Sequence, residues 1–226
     1  MAKKLYMVSL GPGDIDLLTI KALEVLKSSD AICIPTKSSD NSFKKSMTKK
    51  IIDKLFEKHN FTKPLVAVYT PMHFKKEDWE YQVDVLQDSL KRYDTISFVT
   101  LGDAAIYSTV YYLLDIIEKR DVSLYKSCEV IAGVTSFSNA SAKVKKPLCV
   151  GDSKLEIIPL LDKDIPSTKV YMRPKIGMDT SVIKDEGDIY TFENLNYPDQ
   201  DILPYKKPKV NRYMTLFIDF YKKVVG

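Results

Sequence analysis

Metal-ligand spacing, a membrane-length apolar run and a strong charge excess are all missing from this chain. Its three cysteines, Cys33, Cys128 and Cys149, are widely separated and form no C-x-x-C pair. That leaves neither a metal site nor a disulfide framework, and the residues read as buried, inert thiols. Of the two histidines, His59 sits in the polar stretch Glu57-Lys58-His59-Asn60 and reads as a solvated loop residue. His73 follows Thr70-Pro71-Met72 at an expected strand end, where ligand-binding loops gather. The longest apolar runs, such as Ala31 to Pro35 and Val110 to Leu114, are far too short to span a bilayer. The run behind Met1-Ala2-Lys3-Lys4 reads as a buried strand rather than a signal peptide, so a cytoplasmic chain is expected. A formal net charge of +4 is too modest to imply nucleic acid. The grouped lysines, among them Lys143 with Lys145-Lys146 and Lys206-Lys207 with Lys209, read either as solvated faces or as a positive rim for a polyanionic small molecule. Internal repeats and low-complexity segments are also absent.

What is present is a strand–helix alternation. The 226 residues, 45% hydrophobic and 28% charged, fit one large α/β domain or two small ones. Leu5-Leu10 is apolar without polar alternation, as a strand of a parallel sheet buried on both faces should be, and Ala31-Pro35, Leu65-Tyr69 and Ile96-Leu101 read as the next three strands. Between them, helical periodicity runs through Leu17-Leu26, Ser42-Lys58 and Asp78-Lys91, and continues at Tyr107-Ile117. Asp14 or Asp16 is expected to cap the first helix. Such an order implies a parallel sheet with right-handed crossovers. Cys128 to Ile131 adds a strand and Thr135 to Val144 a helix. Beyond Pro147, prolines and short strands at Val170-Met172, Asp188-Phe192 and Tyr213-Phe220 suggest an α+β second half. We place the domain boundary near Asp121 and read Tyr197 to Val210 as a long loop or lid.

Four of the eight glycines fall in three turns, each after an expected strand: Gly11-Pro12-Gly13-Asp14, Leu101-Gly102-Asp103-Ala104 and Ala132-Gly133-Val134-Thr135-Ser136. Three such turns point to a ligand site at the carboxyl edge of an α/β sheet. The first fits no phosphate pattern. A dinucleotide fingerprint would need glycine where Asp16 stands, G-x-x-x-x-G-K-[ST] is absent, and Pro12 removes an N–H that a phosphate cradle would use. Asp103 closes its strand with a carboxylate that either accepts from a ligand amine or ribose hydroxyl or caps the helix beginning near Tyr107. Thr135-Ser136 as an isolated pair would be an N-cap.

In combination, Val8 to Asp14 followed by Leu17-Leu18-Thr19-Ile20-Lys21-Ala22, then Leu101-Gly102-Asp103 with Ile106-Tyr107-Ser108-Thr109, then Gly133-Val134-Thr135-Ser136-Phe137, resembles the tetrapyrrole methyltransferases. The resemblance runs in order through most of the chain and includes Val170-Tyr171-Met172. It implies a class III methyltransferase fold of two α/β domains with the ligand cleft between them: an N-terminal domain, 1–121, on the substrate side, and a C-terminal domain, 122–226, completing the cofactor site. It implies S-adenosylmethionine as cofactor, an acidic tetrapyrrole as substrate, no nucleic acid or membrane partner, no metal held by the protein, and a homodimer. By the same resemblance, Pro12, Leu101, Gly102, Asp103, Ile106, Thr135, Ser136 and Met172 fall on cofactor-binding positions. Within the family, Thr100 to Asp103 with Tyr107-Ser108-Thr109 and the Thr135-Ser136-Phe137-Ser138 run look most like the members that methylate carbon 20 of precorrin-2 or cobalt-precorrin-2.

Three residues depart from the family pattern: Ser9 replaces a glycine, Ala104 a proline after Gly102-Asp103, and Ala132 a proline before Gly133. All three are small and leave room for backbone approach. Ile34-Pro35 stand where uroporphyrinogen-III methyltransferases carry Tyr-Asp, which points away from the first methylation of the series. No residue stands out as acid or base; Asp14, His73 and Tyr107 are the catalytic candidates. Family relatives acting at another corrin position, on diphthine or on ribosomal RNA share this fold, and a flavodoxin-like nucleotide-binding module would share the strand–turn–helix order.

Overall fold

Successive residues of β1 (Lys4–Ser9) fill two different cores. In the computed structural model, which describes residues 3–40, 42–44, 46–71, 75–150, 154–157, 168–172, 174–184, 187–194 and 198–220, Leu5 and Met7 enter one apolar cluster. Val8, and Leu10 just beyond the strand, enter another. β2 (Ala31–Thr36) repeats the division, with Ala31 and Cys33 on one side and Ile32 and Ile34 on the other. In β4 (Thr95–Thr100), Ile96 and Phe98 oppose Val99. Side chains alternate across a strand, so an uninterrupted apolar run is what a sheet covered on both faces requires. With β3 (Leu65–Tyr69) and β5 (Glu129–Ile131), these strands form a wholly parallel sheet in the order β3-β2-β4-β1-β5.

Helices supply the two covering layers. α1 (Ile20–Ser28) and α2 (Met47–His59) contribute Ala22, Leu26, Ile52 and Leu55 to one cluster. α3 (Lys76–Arg92), α4 (Val110–Arg120) and α5 (Val122–Ser127) contribute Val83, Leu86, Leu113, Ile117 and Leu124 to the other. Trp79 stacks on Tyr112 with ring centroids 4.0 Å apart, joining α3 to α4. The α/β class read from the sequence is the class observed.

Several boundaries differ, each for a local reason. Asp14 caps a 3-10 turn (Ile15–Leu17), accepting from the Asp16 N–H at 3.1 Å, whereas α1 is capped by Thr19, whose hydroxyl accepts from the Ala22 N–H. α2 begins at Met47 because Ser46 accepts the Lys49 N–H at 3.2 Å. The helix expected from Tyr107 begins at Val110. Tyr107 has a φ of +49°, which a right-handed helix cannot include, and the Ser108 hydroxyl accepts the Val110 N–H at 3.2 Å. Asp121 is the N-cap of α5, accepting the Leu124 N–H at 2.9 Å. α6 (Ser136–Val144) follows β5 and is capped by Thr135.

The chain divides into two compact units, Met1–Leu155 and Glu156–Gly226. That division lies later than the boundary read near Asp121, because β5 hydrogen-bonds to β1 through Tyr6 to Val8 and so belongs to the first sheet. The second unit is built on an antiparallel sheet of β6 (Lys169–Tyr171), β7 (Asp188–Glu193), β8 (Asp201–Leu203) and β9 (Thr215–Phe220), in the order β6-β9-β7-β8. β8 lies inside the stretch expected to be a loop or lid from Tyr197 to Val210; Tyr197 itself lies outside the described residues. Ile183, Ile189, Val210 and Phe217 form its core. Glu193 is fully buried there, with both carboxylate oxygens accepting from the Lys207 ammonium at 2.9 and 3.1 Å and Arg212 3.5 Å away. No helix among the described residues is long and apolar enough to cross a membrane.

Candidate functional site

The three glycine turns leave the ends of adjacent strands. β1 lies between β4 and β5, so the turns after Ser9, Thr100 and Ile131 meet at one edge of the sheet. The first two are tied directly: the Gly102 N–H donates to the Gly11 carbonyl at 2.8 Å, and the Gly11 N–H donates to the Gly102 carbonyl at 3.1 Å. Both glycines have positive φ, +70° and +78°, which a side chain would strain. The third turn closes on the first. A Cβ on Gly133 would lie 2.5 Å from the Ser9 Cβ and 3.0 Å from the Gly102 carbonyl oxygen, so only glycine lets the three backbones come this close.

These turns enclose a pocket of about 310 Å³ lined by Pro12, Leu101, Gly102, Asp103, Ile106, Tyr107, Thr135, Ser136 and Phe137. It gathers seven of the eight positions assigned to the cofactor by resemblance. The eighth, Met172, follows β6 in the second unit, where it is 70% exposed. Of the catalytic candidates, Tyr107 lines the pocket. Asp14 is exposed and engaged in its cap, and His73 lies outside the described residues. Phe137 was not among the assigned positions; its place directly after Thr135-Ser136 was the available signal.

Charge and hydrogen bonding limit what the pocket can hold. Asp103 is its one acidic lining residue, and no lysine or arginine lines it among the described residues. The Asp103 side chain accepts the Ala105 N–H at 3.2 Å and its carbonyl the Ile106 N–H at 3.1 Å, so this is an Asx turn and not the helix cap that was the alternative. Thr135 does cap: its hydroxyl accepts from the Ser138 N–H at 3.3 Å. The N-terminal turn of α6 therefore forms one wall of the pocket, and such an end favours a carboxylate. Leu101, Ile106, Tyr107 and Phe137 supply apolar and aromatic surface. In α4, burial and then the Asp103 charge push the Tyr111 phenol above its ordinary range.

Polyphosphate does not fit this donor set. The Gly11 and Gly102 N–H groups each donate to the other's carbonyl instead of facing an anion, and among the described residues the lining offers no cation. A ligand with an amine or ribose diol for Asp103, a carboxylate for the α6 end and flat apolar surface for the remainder does fit. That is the composition of S-adenosylmethionine. Among the described residues no three His, Cys, Asp or Glu side chains gather to hold a metal ion.

Comparison with known proteins agrees in kind. The family model of the Tetrapyrrole (Corrin/Porphyrin) Methylases matches residues 4–182. A probable cobalt-precorrin-2 C(20)-methyltransferase from Methanocaldococcus jannaschii is 32% identical over 93% of this chain and 91% of its own length. The cobalt-precorrin-2 C(20)-methyltransferase of Salmonella typhimurium is 29% identical over 70% of this chain and 64% of its own length. Among solved structures, the uroporphyrin-III C-methyl transferase of Thermus thermophilus complexed with S-adenyl homocysteine aligns over 95% of this chain and 96% of its own, at 17% identity and a TM-score of 0.50. That last likeness is one of fold.

Proposed function

This chain belongs to the tetrapyrrole (corrin/porphyrin) methylases, and as a methyltransferase of that family we propose that it methylates carbon 20 of precorrin-2 or its cobalt form, using S-adenosylmethionine, in cobalamin biosynthesis. The observation that carries the reading is the meeting of the three turns. They bring Pro12, Leu101, Gly102, Asp103, Ile106, Thr135 and Ser136 around one pocket that suits a sulfonium nucleoside and not a phosphate. The ring position rests on the 32% relative and on the Ile34-Pro35 end of β2.

S-adenosylmethionine supplies an electrophilic methyl on a cationic sulfur. In the transfer, a bond would form between the ring carbon and the methyl as the sulfur–methyl bond breaks, giving a neutral thioether, and the ring carbon would then release its proton to solvent and regain conjugation. The nucleophile is an enamine-like carbon, so a strong protein base is not required. Positive charge disappears from sulfur at the transition state, and a pocket that bound the cation too tightly would slow the step. The protein's contribution is then orientation and exclusion of water. Asp103 holds the amine or ribose end, the α6 N-terminus the carboxylate, and Leu101, Ile106 and Phe137 keep the pocket dry. Tyr107 is the catalytic candidate that lines it. The lysine groups favour approach of a polycarboxylate substrate, and Met172 is carried as a cofactor residue on the resemblance alone.

Anaerobic incubation with methyl-labelled S-adenosylmethionine and each of the two precorrin-2 forms tests this. Label at carbon 20 of either form is the expected result. Binding of the cofactor without transfer to either form would remove the carbon-20 assignment and send the search to other ring positions.

A further inference from the structure

Two of the three departures from the family pattern touch each other. The Ser9 hydroxyl accepts the backbone N–H of Ala104 at 2.9 Å, and both residues are buried, Ser9 at 1% exposure and Ala104 at 0%. A glycine at position 9 has no hydroxyl to accept this bond, and a proline at position 104 has no N–H to donate it. The exchange of glycine for serine and of proline for alanine therefore replaces a ring with a hydrogen bond at one point in the fold.

Position 104 is also where a proline would be accommodated. The Ile106 N–H donates to the Asp103 carbonyl at 3.1 Å, which makes Asp103 to Ile106 a β-turn with Ala104 second, the position whose φ a proline pre-sets. With alanine the turn has lost that restraint. The Ser9 hydroxyl restores one from the strand end below, while its Cβ packs against Gly133 of the third turn.

We propose that Ser9 is a positioning residue: its hydroxyl fixes the Gly102–Ala104 segment of the pocket in place of a proline ring at 104. The effect on the cofactor rests on the reading of the pocket as the S-adenosylmethionine site; the effect on the loop does not. Ser9 acts through Asp103 and Gly102 and is placed behind the lining, which it does not join.

The two solutions exclude one another, and that makes the proposal testable. Ala104→Pro in the natural chain puts the ring Cδ where the N–H now meets the Ser9 oxygen, so the variant is crowded. Ser9→Gly leaves a buried N–H without its acceptor. The double variant Ser9→Gly with Ala104→Pro removes both faults. Titration calorimetry with S-adenosylmethionine should show each single variant about tenfold weaker than the natural chain and the double variant within about threefold of it, a coupling that independent sites do not give.

Ser9→Ala, which keeps the Cβ against Gly133 and deletes only the oxygen, should speed amide exchange at Ala104 about tenfold, read by NMR. A purely structural part for Ser9 would lower melting temperature without this local signature or the rescue. Losses that simply add in the double variant, or unchanged exchange at Ala104 in Ser9→Ala, would overturn the proposal. If the natural chain fails to bind S-adenosylmethionine, the reading of the pocket falls, and the exchange measurement still decides whether Ser9 fixes the loop.

Discussion

Gly11 and Gly102 exchange both of their backbone hydrogen bonds, at 2.8 and 3.1 Å, across the gap between two strand ends. The bridge closes the sheet edge with backbone alone and consumes the N–H groups that a nucleotide phosphate would seek. Each partner sits at positive φ, so the bridge depends on glycine on both sides.

Gly11→Ala should therefore cost about 2 kcal/mol in urea unfolding, from left-handed strain and from a Cβ placed 3.2 Å from the Leu17 carbonyl oxygen. Cofactor affinity should fall with it, since the bridged loop carries Pro12. An unchanged unfolding midpoint would show that the turn relaxes without the bridge.

Gly133→Ala should be the more damaging glycine change, at about 3 kcal/mol, because its Cβ would meet the Ser9 Cβ at 2.5 Å and the Gly102 carbonyl oxygen at 3.0 Å. Combining it with Ser9→Gly should recover part of the loss. Equal stability of Gly133→Ala in the presence and absence of Ser9 would refute the close packing of the two turns.

Asp103→Asn keeps an oxygen to accept the Ala105 N–H at 3.2 Å but removes the charge. Loss of a charge-assisted hydrogen bond to the cofactor should weaken binding about tenfold to a hundredfold, with little change in melting temperature. Asp103→Lys should abolish binding without unfolding the chain. If either variant binds as the natural chain does, Asp103 is not a cofactor ligand.

In the second unit, Lys207→Met should destabilise by about 3 kcal/mol, because it leaves the fully buried Glu193 carboxylate with Arg212, at 3.5 Å, as its one remaining cation among the described residues. The double variant Lys207→Met with Glu193→Gln should be more stable than Lys207→Met alone. The comparison is read by denaturant unfolding of the whole chain.

Burial pushes the Cys33 thiol up to about 12 and Cys128 to about 11, while Cys149 is exposed. At pH 8 the first two stay protonated and unreactive, so a disulfide reagent should label Cys149 first and reach the others on unfolding. The Cys33 shift favours the protonated native state. Its stabilising contribution is full below the unfolded pKa near 9 and is lost as pH rises toward 12. Cys33→Ala should flatten that alkaline decline; an identical pH profile would remove Cys33 as its cause.

The sheet was legible because its strands announce themselves by composition. Leu65 to Tyr69 is a strand over the residues that its apolar run marks, and the lack of polar alternation from Leu5 to Leu10 implied a sheet covered on both faces. Ends were less legible, since caps compete locally: Asp14, Asp16 and Thr19 all offer an oxygen near α1, and geometry selects Thr19. α5 and β8 are six and three residues long, too short for a period to emerge. Seven of the nine pocket-lining residues are positions that the resemblance assigns to the cofactor; Tyr107 and Phe137 are not, and Met172 does not line the pocket. The support behind the lining was not legible: the Ser9–Ala104 bond joins positions 95 residues apart, and a lone serine in an apolar run gives no sign of the partner it finds.

The strand order has a kinetic consequence. β1 is synthesised first, yet its two hydrogen-bonded neighbours begin at Thr95 and Glu129. A growing chain must carry β1 with both edges unpaired through the making of two other strands of the sheet, β2 and β3, until β4 emerges. Long loop closures of this kind slow folding, and an apolar strand with open edges is the segment on which a chain misassembles. The pocket can form only when β5 has emerged and the third turn settles against Ser9. Truncation before Ile131 should therefore yield a chain prone to aggregate and unable to hold a cofactor, and in the cell β1 is the segment a chaperone would be expected to shield.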